Sequence, residues 1–292
     1  MLLVVAGLVL AAGCTGAGSQ PDITKSPIKS VPVDDITIAY REAGSGEPLV
    51  MIMGYSSTMD LWDPRVLNEL AKYNRVIIFD NRGMGNSTSS DREYSIRIFA
   101  DDTAGLMAAL GITKANVMGF SMGTNIAQEL VLDYPDKVDK VILYAGDTGG
   151  KEAIPPSPEV LAVLADTSGT DRERGERLFK ELFPAAWLKE NPDPSKYFPV
   201  VTTMNPPENV QRQYEAVASW NGTYSRLPGI TQPLLLVAGD QDVLTPPENS
   251  LIIAQKVPHS WMVRMRGGGH GVMYQYPDEF AGIVQTFLSN AR

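Results

Sequence analysis

Short apolar, β-branched runs alternate with longer helical patterns along most of this chain, and that alternation restricts its fold more than any other feature. Residues 36–40, 49–53, 76–79, 116–120, 138–144, 233–238 and 261–265 read as strands, and 60–72, 96–110, 123–133, 247–256 and 277–290 read as helices. Strands joined through helices cannot pair as hairpins. They lie parallel, and their connections cover the sheet on both faces. The expected class is therefore α/β, a mostly parallel sheet flanked by helices. With 292 residues, 43% of them hydrophobic, the chain can bury a core of that size. A formal charge of −9 argues against a nucleic-acid partner, because a polyanion repels the chain before any specific contact forms. One Cys and two His are too few for a disulfide framework, a zinc finger or most transition-metal sites. Chemistry falls to ordinary side chains, with no metal and no cofactor expected.

One stretch breaks the rhythm. From 148 to 228, prolines from Pro155-Pro156 to Pro206-Pro207 punctuate helical patterns at 172–183 and 209–220, and strand patterns largely vanish. A segment of about eighty residues far exceeds an ordinary connection. The expected organisation is a core made of 31–147 and 229–292, interrupted by a helical cap at 148–228.

Residues 1–13 form an uncharged apolar run, too short to span roughly 30 Å of hydrocarbon as a helix, and read as a signal peptide. The run ends in Leu10-Ala11-Ala12-Gly13-Cys14, which resembles a bacterial lipobox: small residues ahead of a Cys that becomes lipidated. Residues 14–30, small and polar with Pro, read as the lipidated Cys and a flexible tether. The expected location is outside the cytoplasm, lipid-anchored to the cell membrane through Cys14. A plain secretory signal cut near Ala12 or Ala17 gives a secreted or periplasmic protein instead.

Gly119-Phe120-Ser121-Met122-Gly123 follows the apolar run 116–120 and opens a helical pattern. That is a G-x-S-x-G turn in its required strand-turn-helix context, which makes Ser121 the candidate nucleophile. A Ser hydroxyl needs a base to take its proton, and the chain offers His259 or His270. His270, in a Gly-rich loop between the last strand and the C-terminal helix, is preferred; His259 reads as a surface turn residue. The acid that orients the imidazole belongs, in chain order, between Ser and His. The loop after 233–238 supplies Asp240 and Asp242.

With Ser121, Asp242, His270 and the turn Asp80-Asn81-Arg82-Gly83-Met84-Gly85-Asn86-Ser87, residues 31 to 292 resemble the α/β-hydrolase fold superfamily, in its esterase, enol-lactonase and perhydrolase-like branch. The resemblance implies that Asp242, the second Asp of its loop, is the acid. It implies an oxyanion hole built from the N–H groups of Met122 and Tyr55, with Met53-Gly54-Tyr55 standing where the family usually has His-Gly, and with Ser56 as a neighbouring candidate. The Asp80 to Ser87 turn is expected to support that loop. The implied activity is hydrolysis of a carboxylic ester or lactone of a small or medium-sized molecule through a Ser-His-Asp triad, with Trp187 and Trp220 as candidate cap lining. Two other readings are an aminopeptidase of the proline-iminopeptidase type, with Glu173, Glu176, Glu181 or Glu215 holding an α-amino group, and a non-catalytic ligand-binding lipoprotein.

Overall fold

The structure, a computed structural model, describes residues 22–200 and 203–290; the expected signal peptide and Cys14 lie outside the described residues. Strands β1 (Lys29–Val33), β2 (Ile36–Ala43), β3 (Glu47–Ile52), β4 (Asn74–Phe79), β5 (Ala115–Phe120), β6 (Val138–Tyr144), β7 (Leu234–Gly239) and β8 (Trp261–Met265) form one sheet. Its spatial order is β1-β2-β4-β3-β5-β6-β7-β8. β2 runs antiparallel to β1 and β4, and every other neighbouring pair is parallel.

Side chains alternate across each strand, so one apolar run feeds two cores. Val50, Ile52, Val117, Val141, Leu143, Leu234 and Leu236 face α2 (Ile96–Ala109), α3 (Met122–Asp133) and α8 (Glu248–Lys256). Leu49, Met51, Met118, Ile142, Leu235 and Val237 face the other way, onto α1 (Pro64–Leu70) and α10 (Pro277–Asn290). β5 and β7 are buried along their whole length, as strands covered on both faces must be. α1 is shorter than the expected 60–72 because Asp63 caps the N–H groups of Arg65 and Val66 with Pro64 at the first turn.

The expected tether to residue 30 is not what the structure has. Ile23 is fully buried, its N–H donates to Asn68 Oδ1 at 3.1 Å, and β1 pairs with β2 from Lys29↔Tyr40 to Val33↔Ile36. The two-residue turn between them uses Asp34 at φ 50°, a conformation Asp tolerates better than most side chains. The polar residues Lys29 and Ser30 and Pro32 near the strand's end hid this strand, yet a Pro is at home on a sheet edge.

The chain steps from β3 to β4 on one side and returns to β5 on the other. At such a reversal the loops leaving the carboxyl ends of neighbouring strands diverge and open a crevice. β3 and β5 are paired there, Ile52 opposite Gly119. Between β6 and β7, among the described residues, come α4 (Pro158–Ala165), α5 (Asp171–Glu181), α6 (Ala185–Glu190) and α7 (Pro207–Ala218). They lie over the loops at that end of the sheet: Leu182 C=O accepts from Gly271 N–H at 2.8 Å, and Asn209 Nδ2 donates to Gly83 C=O at 3.0 Å.

Candidate active site

Ser121 stands alone between the end of β5 and the start of α3, at φ 54° and ψ −124°. A non-glycine residue there is strained, and the surroundings must hold it. Its N–H donates to Tyr144 C=O at 3.0 Å, and its C=O accepts from Thr124 N–H at 2.8 Å and Thr124 Oγ1 at 2.7 Å. The flanking glycines permit the turn by close approach. A Cβ on Gly119 would lie 2.2 Å from the Gly123 carbonyl oxygen, and one on Gly123 would lie 2.2 Å from that of Ile52. The loop after β3 passes directly over the serine, since a Cβ on Gly54 would sit 3.6 Å from Ser121 Oγ.

Asp242 and His270 meet at 2.9 Å, Oδ2 to Nδ1, with both side chains buried. Oδ1 of Asp242 also accepts from the N–H groups of Leu244 and Thr245 at 2.9 Å each, and Oδ2 from Thr245 Oγ1 at 2.8 Å. A carboxylate against Nδ1 selects the tautomer that carries its proton there and leaves Nε2 as the free base. Asp240, the other candidate, is elsewhere: its Oδ1 accepts from Gly267 N–H at 2.7 Å and ties the loop after β7 to the turn after β8. His259 is at the surface, 3.1 Å from Gln232 C=O.

Tyr144, at the end of β6, joins both halves of the site, and sequence reasoning missed it. Its backbone takes the Ser121 N–H. Its hydroxyl donates to His270 C=O and accepts from Met273 N–H at 3.2 Å. Burial pushes this phenol well above its ordinary range, so it stays a neutral donor. The Phe120 ring, next to Ser121 in the chain, stacks on Tyr144 at 4.7 Å and lies 5.1 Å from the imidazole.

Met122 is buried at the first position of α3, and Tyr55 is exposed on the loop after β3. That loop is bracketed from the Asp80 to Ser87 turn, where Asn81 Nδ2 donates to Met53 C=O at 3.1 Å and Asp80 Oδ1 accepts from Met59 N–H at 2.7 Å. Trp220 donates to Glu129 Oε1 at 2.8 Å and packs on Gly149, while Trp187 stacks on Phe183 and meets Tyr197 edge-on. Both are packing residues. Glu173 serves the Thr170 capping box, Glu176 pairs with Arg172 at 2.8 Å, and Glu215 accepts from Gln211 at 3.0 Å. Glu181 lines a cleft of about 760 Å³ together with Phe183, Leu188, Asp242, Val243 and Pro246.

Comparison with known proteins shows the family. The model of the alpha/beta hydrolase fold family matches residues 47–277. The "Putative carbamate hydrolase RutD" of Caulobacter sp. (strain K31) is 27% identical over 265 residues, covering 86% of this chain and 95% of that protein. Among solved structures, the enol-lactonase from Burkholderia xenovorans LB400 superposes with a TM-score of 0.78 at 22% identity, covering 90% of this chain and all (100%) of that one. Esterase RhEst1 from Rhodococcus sp. ECU1013 gives 0.78 at 24%, covering 91% and 99%. The mostly parallel sheet and its flanking helices are thus shared in architecture with hydrolases, and the chain belongs to the alpha/beta hydrolase fold family as an enzyme with a hydrolytic role.

Proposed function

We propose that the enzyme is a serine hydrolase that cleaves a carboxylic ester or lactone through an acyl-enzyme. The observation that carries this reading is the buried Asp242–His270 pair, joined through Tyr144 to a serine held in a strained turn. Ser121 Oγ attacks the acyl carbon as His270 Nε2 takes its proton, and the carbonyl electrons move to an oxyanion held by the N–H groups of Tyr55 and Met122. Collapse of that oxyanion breaks the bond to the leaving oxygen, which takes the proton back from the imidazolium. Water, deprotonated by the same imidazole, then attacks the acyl-Ser121 ester and frees the acid. Asp242 holds the imidazole and stabilises its charged form.

We read the helices between β6 and β7 as a cap that encloses a substrate of small or medium size. A peptide substrate is less well supported, because Glu173, Glu176 and Glu215 are engaged on helix surfaces and only Glu181 faces a cleft. We also propose export and a lipid anchor at Cys14, on the lipobox resemblance. The deciding experiment runs p-nitrophenyl esters of rising chain length beside an aminoacyl-nitroanilide, with a fluorophosphonate probe on wild type and Ser121→Ala. Ester turnover and labelling lost in Ser121→Ala are expected. Turnover of the anilide alone, or labelling that persists in Ser121→Ala, would overturn the reading.

A further inference from the structure

The loop that carries Tyr55 is gripped from the cap as well as from the core. Ser56 is one of four non-glycine residues with positive φ among the described residues, at 53°. Both of its backbone polar groups are taken by the segment around α7. Its N–H donates to Gln213 Oε1 at 2.6 Å, and its C=O accepts from Asn205 Nδ2 at 3.0 Å. Asn205 Oδ1 in turn accepts from Gly85 N–H at 2.8 Å, and Asn209, one helical turn before Gln213, donates to Gly83 C=O at 3.0 Å. Three amides from one short segment therefore hold the loop after β3 and the turn after β4 together.

Gln213 is fully buried, and its Nε2 has no hydrogen-bond partner among the described residues. A backbone N–H can only donate, so the atom facing Ser56 must be the amide oxygen, and the amide orientation is fixed. A buried donor left unpaired weakens the fold relative to an apolar side chain of the same shape. Packing alone therefore does not account for a glutamine here, whereas the bond to Ser56 does. That bond also commits the Ser56 N–H, so of the two candidate donors Tyr55 and Ser56 only Tyr55 keeps an N–H without a protein acceptor among the described residues.

We propose that Gln213, assisted by Asn205, is a positioning residue of the oxyanion hole: α7 fixes the backbone of Ser56 and so aims the Tyr55 N–H, making the hole complete only when the cap segment is seated. This inference rests on the serine-hydrolase reading above. Gln213→Met keeps the size and removes the acceptor. Its kcat on a p-nitrophenyl ester is expected to fall about tenfold to a hundredfold with KM within about twofold, because what is lost acts on the developing oxyanion and not on ground-state binding. Gln213→Glu, which restores an acceptor oxygen at that place, is expected to recover part of the loss. A trifluoromethyl ketone, which forms an oxyanion on the serine, should weaken in step with kcat/KM, and the unfluorinated ketone should not. Gln211→Ala, on the exposed side of α7, is the control and should behave as wild type. If Gln213→Met melts below the assay temperature, Asn205→Ala carries the same test. Unchanged kcat, or a loss confined to KM, overturns the inference while wild type remains active and labelled; wild type neither active nor labelled removes the parent reading with it.

Discussion

Asp242 and Asp240 are two residues apart, and their surroundings give them different work. Three protein donors besides the imidazole converge on Asp242, so its carboxylate can turn neither away from His270 nor towards solvent. Asp240 holds one backbone N–H and closes a loop. Asp242→Asn is expected to lower kcat by about four orders of magnitude, since an amide cannot stabilise imidazolium and favours the wrong tautomer, and Asp240→Asn by less than about tenfold. Steady-state kinetics on the two purified variants checks the order; the reverse order would move the acid to Asp240. The turn serine and its glycines were legible because G-x-S-x-G states a local geometry. Gln213 and Tyr144 were not, because their partners lie 157 and 126 residues away and nothing local marks either one.

At the scale of elements, the β1–β2 hairpin is joined to the active-site side of the sheet through one buried cation. Arg82 is fully buried, and its guanidinium grips Asp102 of α2 at 2.8 and 2.7 Å and Asp35 of the hairpin turn at 2.8 Å. Burial pushes the Asp102 carboxyl up against the pull of Arg82, while Arg82 and Ser90 hold Asp35 down to about 2 from an ordinary 3.8. The folded state thus keeps Asp35 ionised at pH values where the unfolded chain already protonates it. Its stabilisation is complete above about pH 5 and disappears as pH falls through 2. Asp35→Asn should lower Tm by about 3 °C near neutrality, and the gap to wild type should shrink between about pH 4 and 2. Melting curves across that range test it, and a constant gap would show that Asp35 acts through shape and not charge. Most strands were readable as apolar runs because a doubly covered sheet needs them. α4 and α6 were not, since short helices between prolines carry too few turns to show a period.

At the scale of the molecule, the proposed anchor and the sheet meet at the N-terminus. No helix of the described residues is long and apolar enough to cross a membrane. In the proposed anchor a lipid on Cys14 supplies the attachment, and two or three acyl chains hold durably where one does not. Cys14→Ser should move the protein from the membrane fraction to the soluble fraction or leave an unprocessed precursor. Correct cleavage with unchanged membrane association would rule the anchor out.

The burial of Ile23 then sets a radius of action. Ile23 is pinned beside α1, so the proposed anchor at Cys14 is nine residue positions from a fixed point of the domain, where the sequence alone suggested a tether to residue 30. Nine residues of chain span at most about 32 Å, less than the width of the domain, which bounds the distance between a lipid at Cys14 and the sheet. Under the proposed anchor the enzyme would work the layer of water next to the bilayer, and inserting residues between Cys14 and Ile23 would change which substrates it meets without touching a single catalytic atom.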